Sequence, residues 1–259
     1  KIMRFGNKFQ EHLNSSQISL FGEKTDNSYQ DLTIPHCEPW SNLIRLKKEK
    51  EVVGIYISSH PLDDFEHEMN HFVSISLNHL INLESFINRE VTVGGIVNEV
   101  EHLESRLGKG WARFSIEDFT DQFEFRIFGE EYLKYRHFLV VNQFIRIKIM
   151  IRQGWTNSET GRVGSPRVQF LSFEMLHNTI EKNAKKLILQ LDVKKINEEK
   201  IDTLKEHLKS FKGDKPLVFK IYDPEKKIKL TLNSKKQKVK ITQDLLNELD
   251  RQEWYYKLN

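Results

Sequence analysis

Cysteine is almost missing from this sequence: Cys37 is the only one in 259 residues. An internal disulfide and a four-cysteine metal site are therefore excluded, and the usage fits a reducing compartment. No apolar run approaches the roughly 20 residues of a membrane-spanning helix. The N-terminus lacks the order of a secretory signal, so the expected location is the cytosol, away from membranes. Charge of one sign is not in surplus either, since the net value is +3. That total is too small to announce a nucleic-acid binder, and distribution matters more. No internal repeat, nucleophile elbow or phosphate-binding glycine loop is present, which leaves no signature of a hydrolase or nucleotide-binding enzyme. The first residue is Lys1 rather than Met, and the expectation is a chain that begins inside a longer protein.

Hydrophobic residues at 38% and charged residues at 30% describe an ordinary soluble chain with several small cores. Between Lys182 and Lys240 basic residues outnumber acidic ones about two to one. Residues 3–14 carry Phe5, Phe9 and Leu13 at helical spacing, and residues 22–39 are a polar connector. Ser41 is placed to cap a helix over 41–57 with Leu43, Leu46, Val53 and Ile57 as core positions. His60-Pro61 ends it, and a short helix over 62–71 follows.

The period then changes from 3.6 to 2. Residues 91–97, 111–117, 122–128, 143–152 and 167–174 read as five strands, with a helix over 129–138 between the third and fourth. That is the element order of an OB-fold, a small Greek-key barrel. The clearest strand alternates Ile145, Ile147, Ile149 and Ile151 with Arg146, Lys148 and Arg152, one face core and the other basic. Beyond the linker at 181–186, strands over 187–193, 216–222, 227–232 (paired with 238–241) and 254–258, with helices over 198–211 and 242–249, suggest a small α+β domain of split βαβ type. The fold class is thus mixed α/β, mainly β. The division expected is 1–40 peptide and linker, 41–87 helical connector, 88–178 OB-fold and 185–259 α+β tail.

Gln17-Ile18-Ser19-Leu20-Phe21 places two large apolar side chains beside a polar connector. Such a peptide either seats both in a partner's pocket, with modest and reversible affinity, or tucks them onto its own domain. On the outer barrel face, Trp111, Arg113, Arg126, Phe128, Arg146, Lys148 and Arg152, with Trp155 and Arg162 of the following loop, form a candidate single-strand track. Aromatic platforms and cations are what such a track requires; the alternative is a solvated barrel wall. His67 and His71 lie at i, i+4 spacing without a third ligand and read as solvated. Asp63-Asp64 and Glu117-Asp118 suit turns and helix starts better than metal-dependent chemistry, and no cofactor site is expected in these residues.

The pattern Gln-x-Ser-Leu-Phe at 17–21, with Glu51-Val52-Val53-Gly54-Ile55-Tyr56-Ile57-Ser58-Ser59-His60-Pro61-Leu62, resembles the C-terminal region of the bacterial DNA polymerase III alpha subunit. The likeness continues through the strands to the end of the chain. It implies that Gln17, Ser19, Leu20 and Phe21 dock the beta sliding clamp, that the OB-fold binds single-stranded DNA, and that the tail binds the clamp-loader subunit tau. Trp254, Tyr255 and Tyr256 lie at the tau-binding end, although a closing strand would bury them instead. The parent would be a magnesium-dependent DNA polymerase, and this segment would not be catalytic. The rival readings are a standalone OB-fold that binds RNA and a pure protein-interaction scaffold.

Overall fold

The computed structural model describes residues 38–155 and 164–258, with Gly6, Asn7 and Gln10. The elements form two sheets joined by short helices.

Helix α1 spans Asn42–Val53 and stops at Gly54, whose φ of 92° closes the helix in the left-handed conformation that glycine adopts without penalty. The helix is therefore shorter than the sequence suggests. Leu46 is buried, but Val53 and Ile57 are exposed rather than core positions. A 3₁₀ turn, Asp63–Phe65, leads into helix α2, Glu66–Phe72, and a second 3₁₀ segment covers Leu77–Phe86.

The first sheet contains β1 (Glu90–Glu104), β2 (Gly110–Glu117), β3 (Gln122–Phe128), β4 (Phe144–Arg152) and β5 (Arg167–Met175), in the order β3-β2-β1-β4-β5. Every neighbouring pair is antiparallel. Helix α3, Gly129–Tyr135, lies between β3 and β4. All four isoleucines of β4 are fully buried, as their alternation requires. Among the described residues no backbone ladder joins β3 to β5, so the sheet is not a closed barrel. Its edges meet through rings instead. Phe114 on β2 lies 5.4 Å from Phe125 on β3 and about 6 Å from Phe170 and Phe173 on β5. Phe125 and Phe170 are 5.8 Å apart.

Strand β1 runs seven residues past its expected end at Val97. Beyond a register shift between Val97 and Glu99 its outer half is mostly exposed. With no core to face, Asn98–Glu104 carries no apolar alternation for a sequence reading to detect. At Gly95 an added Cβ would meet the Glu117 carbonyl oxygen at 2.4 Å, so the β1–β2 crossing admits no side chain.

The second sheet holds β6 (Leu187–Asp192), β7 (Lys212–Asp223), β8 (Ile228–Val239) and β9 (Tyr255–Leu258), in the order β8-β7-β6-β9. After the short α4, Thr179–Asn183, helices α5 (Glu198–Ser210) and α6 (Gln243–Arg251) cover one face. The Asn197 side chain accepts from the Lys200 N–H and the Thr242 side chain from the Leu245 N–H, satisfying the first turns of α5 and α6. Leu204, Leu208, Leu245, Leu246 and Leu249 pack on Leu187, Leu189 and Leu217. Strands β6 and β7 are parallel, hydrogen-bonded neighbours. The βαβ unit is therefore not split, as the element order alone had suggested. Strand β8 is one long strand, not two short ones, because its exposed lysine-rich middle has no burial pattern to mark continuity.

Candidate nucleic-acid interface

The β-strand period places residues of β1, β2 and β3 in rows on the outer face of the first sheet. Leu103 pairs with Trp111 and Trp111 with Phe128; one row inward, Glu101 pairs with Arg113 and Arg113 with Arg126; beyond that lie Glu99, Ser115 and Glu124. Trp111 and Phe128 are stacked, with centroids 5.2 Å apart and planes at 17°, and Phe128 is 56% exposed. Such a pair presents an open π-face at the sheet's edge.

The cations are less free than alternation implies. An Arg113 N–H donates to Glu101 at 2.8 Å, and its guanidinium lies 3.8 Å from Glu124. Glu101 first, then Glu124, holds the Arg113 guanidinium further above its ordinary range. Lys148 pairs with Glu90 at 2.5 Å. Arg152 donates to the Gln169 side chain at 3.0 Å and stays exposed. Arg126 contacts Glu124 of its own strand at 3.2 Å while remaining well exposed. An exposed pair of that kind contributes under about 1 kcal/mol, so a phosphate competes for the guanidinium readily.

Arg146 requires a correction. Its side chain is only 14% exposed, donates through Nε to the Phe72 carbonyl at 2.9 Å and through Nη1 to Glu174 at 3.1 Å. Glu174 also accepts from Asn183 at 2.8 Å. Arg146 thus caps the C-terminus of α2 and is no part of an open basic face. Alternation assigns a residue to a side of a strand but does not reveal what covers that side. Trp155 is 62% exposed. Arg162, together with Gln17, Ser19, Leu20 and Phe21, lies outside the described residues.

Sequence reasoning passed over Arg106 and Lys109, exposed on the turn between β1 and β2 next to the Leu103–Trp111–Phe128 row. Two cations flanking a glycine turn beside an exposed aromatic were the signal available. Burial pushes the Glu131 carboxyl upward, next to Phe128, Arg126 and Arg167 around a shallow cavity.

Other expectations are met or corrected locally. Asp118 accepts from the backbone N–H groups of Leu77, Thr120 and Asp121 at 2.7 to 2.9 Å, a turn role as its pattern predicted. His67 is not solvated. Its ring bonds Asn247 at 2.7 Å and the Tyr256 hydroxyl at 3.0 Å, because α2 is sandwiched between the two sheets instead of lying on the surface. Among the described residues no cluster of His, Cys, Asp and Glu is arranged to hold a metal. Trp254 is buried and donates its indole N–H to Gln252, and burial, with Asp250 beside it, pushes the Tyr256 phenol upward. Of that aromatic trio, Tyr255 alone is largely exposed.

Comparison with known proteins adds a family. Residues 187–259 match the DNA polymerase III alpha subunit, C-terminal domain. The DNA polymerase III subunit alpha of Borreliella burgdorferi is 29% identical over 84% of this chain, and that of Halalkalibacterium halodurans 24% identical over 92%. The chain matches the C-terminal region of DNA polymerase III alpha subunits. The Treponema pallidum subunit is 32% identical over 44% of the chain. The chain spans only 10 to 20% of the length of these relatives. A small single-stranded DNA-binding protein from Streptomyces coelicolor matches 34% of the chain and 94% of its own, at 9% identity and a TM-score of 0.20, too low to bear on the fold. No helix among the described residues is long and apolar enough to cross a membrane.

Proposed function

We propose that this chain is the non-catalytic accessory module of a replicative DNA polymerase, working in a bacterial cytoplasm, with its first sheet an OB-type platform for single-stranded template. The stacked, half-open Trp111–Phe128 pair beside Arg126 carries the reading. It sits on the strand 2–3 face, next to the turn joining the first two strands, where OB-folds take oligonucleotides. The expected affinity rests on stacking at this edge and on Arg106, Lys109 and Arg126, with Lys148 and Arg113 secondary because carboxylates already hold them.

Fluorescence anisotropy of a labelled oligo-dT tests this. Phe128→Ala is expected to weaken binding by roughly 1–3 kcal/mol, the usual contribution of one base stack. Arg126→Ala is expected to flatten the slope of log affinity against log salt by about 0.7. Unchanged affinity and slope in both variants would remove the interface.

Residues 17–21 are the proposed tether to the sliding clamp. Tethering raises the effective concentration of the polymerase at the primer end it has just left. Leu20→Ala with Phe21→Ala is expected to abolish binding of the chain to the clamp, measured by calorimetry; retained affinity would contradict the tether. The tail is the proposed dock for the clamp loader. With Trp254 buried, the surface that suits it is the apolar stripe Ile228, Leu230 and Leu232, which helices α5 and α6 leave exposed. Trp40, Val52, Val53, Ile55 and Ile57 are also exposed around α1. An apolar patch of this kind suits a chain that packs against the rest of a polymerase, whose catalysis and magnesium lie outside this region.

A further inference from the structure

The second sheet has a face opposite helices α5 and α6. Helices α5 and α6 pack on the side of Leu187, Leu189 and Leu217, and the alternate residues of all four strands lie on the opposite side. Strand register arranges those residues in rows. Tyr255, Gln190, Lys220 and Thr231 cross the sheet from β9 to β8, and two residues further along Asp192, Tyr222 and Lys229 form the next row. On the other side of the first row, Lys257 pairs with Ile188, and Val218 with Asn233. Ile188 and Val218 are buried there and floor the surface. A shallow cavity of about 520 Å³ lies over Gln190, Lys220, Tyr222, Lys229, Thr231 and Tyr255.

We infer that this open face is a second platform for single-stranded DNA, separate from the one on the first sheet. Three observations point to that occupant. Rings are offered to solvent, Tyr222 39% and Tyr255 67% exposed, on strands two apart, or roughly 10 Å across the sheet. An exposed four-stranded sheet with aromatic residues on separate strands is a surface on which successive bases stack. Lys220, Lys229 and Lys257 surround these rings; on the face itself the register adds Asp192, which accepts from the backbone N–H of Lys194, while Asp250 and Glu253 line the hollow beyond Tyr255. The field is therefore complementary to a phosphate backbone. Finally, Lys229 sits 5.6 Å over the Tyr222 ring, so one side chain reaches a phosphate next to the base its neighbour stacks. Gln190 and Thr231 supply hydrogen-bonding groups between the rings without closing the surface. A template held here as well as on the first sheet would be gripped at two points.

The test uses the full chain and a labelled oligo-dT, in the parent protein and again in the Phe128→Ala background. All substituted side chains are exposed, and thermal melting checks that the fold is kept. Tyr222→Ala is expected to weaken binding about fivefold or more, as loss of one stacked base does. Lys220→Ala with Lys229→Ala is expected to flatten the log–log salt slope by about 1.4, two phosphate contacts. Both effects persist in the Phe128→Ala background, so a failure of the first platform is not mistaken for a failure of this one. The inference is overturned if affinity and slope stay unchanged in these variants. It is also overturned if a polyglutamate peptide displaces the oligonucleotide from the parent protein but not from the lysine variant, which would mark the face as a dock for an acidic protein.

Discussion

Replacing Phe114 with alanine is expected to cost the first sheet about 3–5 kcal/mol, read as a lower urea midpoint than in the parent protein. The ring is 1% exposed and contacts Phe125 on one edge strand and both Phe170 and Phe173 on the other. In a sheet closed by backbone hydrogen bonds, a single core ring is one contribution among many. Here β3 and β5 share no ladder, and their approach depends on side chains. Deleting the ring removes apolar burial and opens a cavity where the two edges meet. Leu133→Ala, at a position 62% exposed, is the control and is expected to stay within about 0.5 kcal/mol. A Phe114→Ala cost no larger than the control would mean that the edges are held by something other than these rings.

Arg146→Ala is the second large effect, at about 3 kcal/mol. Removing the guanidinium leaves the partly buried Glu174 carboxylate without its cation and the Phe72 carbonyl without its donor. Breaking such a pair from one side costs more than the pair contributes, because one charge stays behind desolvated. The double variant Arg146→Ala with Glu174→Gln is therefore expected to be more stable than Arg146→Ala alone. A solvated arginine would show neither effect, and a loss under about 0.5 kcal/mol would return Arg146 to the exposed face. Since Phe72 also packs against the core of the second sheet, the loss is expected to loosen the joint between the two sheets.

The difference between Arg146 and Ile147 shows what the sequence reveals and what it hides. The isoleucines of β4 are legible because burial is a property of a whole face, and a period of two reports it. The fate of Arg146, Arg113 and Lys148 depends on Glu174, Glu101 and Glu90, which approach from other strands, and no local pattern encodes that register. The same holds for His67. Without a third ligand near it in sequence it read as solvated, whereas Asn247 and Tyr256 arrive from about 180 residues away to bury it. Strands were missed or divided where they leave the core, at Asn98–Glu104 and in the lysine-rich middle of β8, since an uncovered strand has no face to signal. Capping is local, yet Ser41, expected to cap α1, makes no side-chain cap hydrogen bond, whereas Asn197 and Thr242 do cap α5 and α6.

The contact between template and first sheet is tested most directly by photo-crosslinking. The full chain would be irradiated with a bromodeoxyuridine-substituted single strand, and the adducts located by peptide mass mapping. The expected result is adducts on Trp111 or Phe128, reduced by an excess of unlabelled single strand. Adducts absent from both residues, while other positions of the chain are labelled, would contradict it.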